Sequence, residues 1–252
     1  MIKLVTDKRQ LEFAGGTPFG CKIMSAANAY GLTFKTVEFW VQDGQKAAAA
    51  KIDGDMLVAD NGLDPGEMAR FIKMLSPKSV SCAKQAALKL GVPVSRCGRI
   101  MFSRSIRNAD IKYAPEVNPP IREIYALLCS CGSSTFTPPP FEPFYLDMSH
   151  RTRHGAALSV GVRHEGRLAA CAVCTAACGE SAVISAVACL PQERGHGFAS
   201  FAVRAIAAML GRNTAYVFRA DGENEKFYRS LGFEDYGDWS ETDFGSTVKK
   251  KE

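Results

Sequence analysis

Residues 187–200 read Val-Ala-Cys-Leu-Pro-Gln-Glu-Arg-Gly-His-Gly-Phe-Ala-Ser. An apolar strand ends at a proline turn, and a glycine-bearing turn then opens a helix. Glycine lets the backbone approach a ligand closely. The first turn of a helix presents N–H groups without intrahelical acceptors, together with the positive end of the helix dipole. The combination is an anion site suited to a diphosphate. No Gly-Lys-Ser/Thr follows the glycines, and no Gly-x-Gly-x-x-Gly stands in a repeated strand–helix–strand unit, so neither a nucleotide-hydrolase loop nor a dinucleotide fingerprint is present.

Working outward, residues 156–163 and 168–177 read as a hairpin around His164-Glu165-Gly166-Arg167, and 182–190 as a buried strand. A helix is expected over 195–211, with Phe198, Phe201, Ala202, Ala205, Met209 and Leu210 on one face and Gly211 as its stop. A strand at 214–220, a short helix at 222–231 and a strand at 233–239 follow. A helix over 121–131 opens this half, and the prolines at 138–140 and 143 interrupt helix nearby. The order predicts an α/β (α+β) fold, a mixed, mostly antiparallel sheet flanked by helices.

Earlier in the chain the same order returns more faintly. Strands are expected at 35–42, 45–52 and 56–59, a helix beginning at Asp64-Pro65-Gly66-Glu67 with Met68, Phe71, Ile72 and Leu75 on one face, a strand at 78–82 and a helix at 83–90. The matching order points to a diverged internal duplicate. The division is placed at 1–115 and 116–252.

Arg194-Gly195-His196-Gly197-Phe198-Ala199 resembles the Arg/Gln-x-x-Gly-x-Gly/Ala motif of the Gcn5-related N-acetyltransferases, the GNAT superfamily. Cys189-Leu190-Pro191 resembles its Val-x-Pro approach. Phe227-Tyr228-Arg229-Ser230-Leu231-Gly232-Phe233 resembles its Phe/Leu-Tyr-x-x-Leu-Gly-Phe signature. The resemblance covers 120–240 and implies a GNAT acetyltransferase domain there. The first half then reads as a degenerate GNAT-like or accessory domain, with two GNAT-like domains in tandem as the expected fold.

The family implies an activity and a cofactor: transfer of an acetyl group from acetyl-CoA to a primary amine. It implies that backbone N–H groups of Gly195, His196, Gly197, Ala199 and Ser200, beside Arg194, bind the coenzyme diphosphate. It also implies that Val187, Ala188 and Cys189 pair with the pantetheine arm, with an N–H near Cys189 polarising the thioester carbonyl. Tyr228 matches the general acid that protonates the leaving thiolate. Where the family often has Asn, seven residues before that tyrosine, this chain has Asp221; Asn224 is the candidate substitute for contact with pantetheine. The strand at 182–190 has no carboxylate or histidine, so the general base is left among Glu180, His150, His154 and water. The alternative reading is a non-catalytic acyl-CoA-binding or sensing protein that keeps the fold.

In the first half, Asn61-Gly62-Leu63-Asp64-Pro65-Gly66 stands at the equivalent of the glycine turn, and its acidic character suits a diphosphate poorly. One cofactor site per chain is expected, with the first half shaping an acceptor pocket or a dimer face. Composition is that of an ordinary globular protein: 252 residues, 46% hydrophobic, 23% charged, net charge +5. The nine cysteines, an odd number, fit reduced thiols in the cytoplasm. Cys171 and Cys174 lie in a strand, pointing to opposite faces, so no metal is expected. The basic residues are not clustered with stacking aromatics, which argues against nucleic acid. The Lys249-Lys250-Lys251 tail reads as a solvated end, and neither a secretory signal nor a membrane span is expected.

Overall fold

The computed structural model describes residues 1–106, 113–133, 136–212 and 214–244; the Lys249–Lys251 tail lies outside them. The chain forms two compact units. The first comprises Met1–Ile100, Phe218–Asp221 and Asp235–Glu252, the second Met101–Val217 and Gly222–Glu234. The division therefore falls at 100/101 and returns the last strand to the first unit, where the sequence division ran 1–115 and 116–252.

In the first unit, β1 (Ile2–Leu4) leads through a 3-10 turn to α1 (Pro18–Tyr30). There follow β2 (Val37–Gln42), β3 (Ala47–Ile52), β4 (Asp55–Asp60), α2 (Pro65–Leu75), β5 (Ser79–Ala83), α3 (Lys84–Leu90) and β6 (Arg96–Ser103), whose residues to Ile100 belong here. The β2–β3 and β3–β4 pairs are antiparallel, and β4–β5 is parallel. One buried cluster joins Trp40, Met56 and Val58 of the sheet to Met68 and Ile72 of α2. Burying side chains of this size contributes ~1.5–3 kcal/mol each. The helix α1 was not expected, although Thr17 accepts from the Gly20 N–H as its cap and Pro18 occupies its first turn.

The second unit takes β6 from Met101, then β7 (Glu116–Val117), α4 (Ile121–Ser130), α5 (Phe141–Arg153), β8 (Leu158–His164), β9 (Arg167–Cys178), β10 (Ser181–Cys189), α6 (Phe198–Leu210), β11 (Thr214–Ala220, here to Val217) and α7 (Glu225–Ser230). The β8–β9 and β9–β10 pairs are antiparallel, and β10–β11 is parallel. The sheet is buried on both faces. Phe198, Val203 and Ile206 of α6 and Tyr228 of α7 cover one face with Ala170, Ala172 and Cys174. Ile124, Leu127 and Leu128 of α4 and Met148 of α5 cover the other with Cys171, Val173 and Ala188. Cys171 and Cys174 thus bury into opposite faces, and all nine cysteines are free. Burial pushes the two thiols up to about 12 and about 11.

Three helices of the second unit depart from the sequence reading. A helix runs over Phe141–Arg153, where the prolines were read as interruptions. Pro140 precedes it and Pro143 falls in its first turn, where a missing N–H costs nothing. Helix α6 starts at Phe198 because Gly195 and Gly197 hold φ of 88° and 85°. Helix α7 starts at Glu225 because Gly222 and Asn224 also have positive φ.

The last strand, β12 (Glu234–Asp243), completes the first unit from Asp235. It pairs antiparallel with β5, from Trp239↔Ala83 to Asp243↔Ser79. The series β2-β3-β4-α2-β5-α3-β6 and β8-β9-β10-α6-β11-α7-β12 match element for element. The duplication expected from the sequence is thus visible in the fold. Among the described residues no helix is long and apolar enough to cross a membrane.

Candidate functional site

The site begins where two parallel strands part. β10 pairs with β11 only from Ser181↔Thr214 to Ile184↔Val217, while its pairing with β9 continues to Cys189. Residues 185–189 therefore have a sheet partner on one side only. The Leu190 N–H donates to the Ala169 carbonyl at 2.9 Å, in register with Ala188↔Cys171 and Ala186↔Val173. Antiparallel alternation then commits the polar groups of Ala186 and Ala188 to β9 and turns those of Val187 and Cys189 to the side that β11 has left. The Cys189 carbonyl accepts from the Cys131 thiol at 3.2 Å. The N–H groups of Val187 and Cys189 face the gap, as an extended ligand pairing like a strand requires.

The strand delivers this edge to the glycine turn. A 3-10 turn over Pro191–Glu193 is followed by Arg194 in extended conformation. Gly195 and Gly197 then reverse the chain at positive φ, a region that disfavours side-chain-bearing residues. Gly197 caps α6 without any side-chain bond, and the helical ladder begins with Phe201 N donating to the Gly197 carbonyl at 2.9 Å. Among the described residues no acceptor meets the N–H groups of Gly195, His196, Gly197, Ala199 and Ser200. Arg194 is exposed beside them, without an ion-pair partner among the described residues. The donor set fits a diphosphate: several converging N–H groups, a helix dipole and one guanidinium.

The His196 side chain is exposed but turned back along the chain. Its Nδ1 lies 3.1 Å from the Glu193 carbonyl, and its ring stacks with His164 at 6.4 Å. His164 Nδ1 pairs with the Glu193 carboxylate at 3.0 Å, and the Tyr113 hydroxyl donates to the His196 carbonyl at 2.7 Å. These contacts brace the turn from behind. They had no sequence signal, since His164 sits in a hairpin turn 32 positions away.

Tyr228 is buried on α7 and packs edge-on against Phe233, with ring centroids 5.6 Å apart. Val187, Cys189 and Ala199 pack against the same apolar cluster that contains Tyr228 and Phe198. Three separated segments of sequence thus meet on one side of the sheet. Asn224 is exposed, lies just before α7 rather than within it, and makes no cap bond with its side chain. Asp221, at the position where the resemblance expects Asn, pairs with Arg99 at 3.6 Å.

Of the three side chains considered as general base, Glu180 sits in the turn before β10. Nine residues of strand place it ~30 Å from Cys189. His150 and His154 stack at the end of α5, 4.2 Å between rings. Cys189 is no thiolate nucleophile, because burial and then the neighbouring Cys131 thiol raise it above the ordinary thiol range. Among the described residues no group of three or more His, Cys, Asp or Glu side chains could hold a metal ion.

A parted pair of parallel strands here runs into an open helix N-terminus. Residues 121–233 match the model of the Acetyltransferase (GNAT) family. Three solved structures show the fold of the whole chain. A GCN5-related N-acetyltransferase from Kribbella flavida is 17% identical, with TM-score 0.57 over 88% of this chain and 94% of its own. A tandem GNAT protein from the clavulanic acid biosynthesis pathway is 12% identical, with TM-score 0.59 over 96% and 97%. A GCN5-related N-acetyltransferase from Sphaerobacter thermophilus is 14% identical, with TM-score 0.57 over 96% and 94%. At these identities the likeness is one of fold, that of two GNAT domains in tandem. No curated protein matches the chain at a significant level.

Proposed function

We propose that the protein moves an acetyl group from acetyl-CoA to a primary amine of an acceptor by direct attack on the thioester, using one coenzyme site per chain, in the second unit. One observation carries the reading: the stretch of β10 released by β11 runs straight into an uncapped helix N-terminus. A pantetheine arm fits the first and a diphosphate the second. The N–H groups of Gly195, His196, Gly197, Ala199 and Ser200 hold the diphosphate with Arg194, and the strand edge at Val187 and Cys189 aligns the arm, while Ala188, expected to share in that pairing, spends its polar groups on β9. The Cys189 N–H points a fixed dipole at the place where negative charge develops on the carbonyl oxygen. Tyr228 gives its proton to the departing thiolate, and Asn224 contacts the arm.

The second reading, a coenzyme-binding sensor without turnover, draws on the absence of a carboxylate or histidine in 181–189. Thiol release from acetyl-CoA with primary amines, alongside calorimetry with coenzyme A, separates the two. Binding with amine-dependent thiol release supports transfer. Binding without release by any amine supports the sensor, and no binding removes both.

A further inference from the structure

Within β10, residues 181–184 and 188 are buried and 186, 187 and 189 half-buried; Ser185 alone is exposed. Its place is unusual for three reasons. Ile184, just before it, is the last residue paired to β11. The register with β9 shifts on both sides of Ile184, so that Ser185 is bulged out of the ladder between Ile184 and Ala186. Its hydroxyl is hydrogen-bonded to that of Thr175 on β9, and neither hydroxyl has another partner among the described residues. Bulges re-aim a side chain that the ladder would otherwise fix, and they gather beside active sites.

The bulge is held from the α5 side. Arg151, buried in the unit, donates from Nη1 to the Thr175 carbonyl at 3.2 Å and pairs through Nε with Asp147 at 2.7 Å. A buried guanidinium tied to a backbone carbonyl fixes β9 at the point where its hydroxyl meets Ser185. Ser185 thus stands at the residue where β11 leaves β10, with Thr175 on its β9 side, four residues or ~13 Å along β10 from Cys189. That interval is long enough for an acyl group and an incoming amine, or for an amine and one water.

We propose that Ser185, with Thr175 behind it, is the acceptor-side catalytic hydroxyl of the transfer; this rests on the acetyltransferase reading above. The neutral amine hydrogen-bonds to Ser185 Oγ and forms its C–N bond as the carbonyl π pair moves onto oxygen. The proton that nitrogen must lose passes to Ser185 Oγ, while the Ser185 hydrogen moves to Thr175 Oγ1 and the Thr175 hydrogen goes to solvent. The C=O bond re-forms as the C–S bond breaks, the thiolate takes its proton from Tyr228, and Tyr228 recovers one from solvent. Amine and thioester become amide and thiol, with no net gain or loss of protons. A relay of this kind needs no carboxylate on the strand.

The test compares wild type, S185A, S185T and T175V in thiol release from acetyl-CoA with putrescine, L-lysine and glycinamide, alongside calorimetry with coenzyme A. S185A is expected to bind the coenzyme within about twofold of wild type while kcat falls about tenfold to a hundredfold; T175V falls less, and S185T recovers most of the loss. Ser185 is exposed, so a thermal melt of S185A is expected to match wild type. If wild type turns over these amines and S185A does so equally fast, Ser185 has no part in the chemistry. Wild type that binds the coenzyme yet releases thiol with none of the three amines also overturns the relay. Failure to bind coenzyme A overturns the underlying acetyltransferase reading instead.

Discussion

The α2 and α6 helices hold the same place in the two halves, each following a strand that pairs in parallel with the next, yet their N-termini are chemical opposites. In the first unit the Asp64 carboxylate accepts from the Glu67 N–H at 3.1 Å, and the Gln42 side chain accepts from the Asp64 N–H at 2.8 Å. Asp60 accepts from the N–H groups of Gly62 and Leu63 at 2.8 and 2.9 Å, and Pro65 has no N–H. The turn is filled by its own carboxylates. Its strand β4, moreover, continues only to Asp60 after its pairing with β5 ends at Val58, against 185–189 in β10. In the second unit a glycine caps the helix and the donors stay open. A helix N-terminus becomes a binding site only when the chain declines to cap it itself.

Four substitutions sharpen this contrast. The largest effect is expected from Tyr228→Phe. Helix α7 carries a tyrosine where its counterpart α3, Lys-Gln-Ala-Ala-Leu-Lys-Leu, has none. Turnover should fall by about 10²–10³-fold in kcat, with coenzyme affinity held within about twofold. Thiol release that persists unchanged would remove Tyr228 from the mechanism.

Next comes Gly197→Val. A β-branched residue resists a φ of 85°, although open space surrounds the position. Coenzyme A affinity, measured by calorimetry, should drop about a hundredfold, equivalent to ~2.7 kcal/mol, while the melt stays cooperative. Asn224→Ala should weaken coenzyme binding by about threefold to tenfold, the effect of one hydrogen bond.

Smallest for the site is Asp64→Ala, which uncaps α2. Coenzyme binding should be unchanged, and the melting temperature should fall by a few degrees. The Glu67 N–H, ahead of that of Gly66, holds the Asp64 carboxyl below its ordinary range. A depressed carboxylate contributes its stability above the unfolded value and loses it as pH falls through the folded one. Hydrogen exchange of the α2 amides should therefore quicken in acid in wild type, and the variant should lack that response.

Much of the second unit was legible in its sequence because its signals are local. Glycines 195 and 197 announce a turn, the apolar runs broken by turns in 156–190 announce strands, and Tyr228 sits in a compact signature. The bounds of α6 and α7 were less legible, since it takes the backbone to show which glycine carries the positive φ. Helix α5 was hidden by prolines whose harm depends on position within the first turn. The placing of β12 beside β5 could not be read at all. It joins Trp239 to Ala83, and alternation specifies which face a strand buries but not which strand it joins. Ser185 was equally silent, because a bulge exists only in the register of two strands.

The contrast between the two helix ends is tested most directly by titrating coenzyme A into wild type and Gly197→Val in a calorimeter. One molecule per wild-type chain, with binding lost or weakened about a hundredfold in the variant, is the predicted result. Two molecules per chain, or an unweakened single site in Gly197→Val, would contradict it.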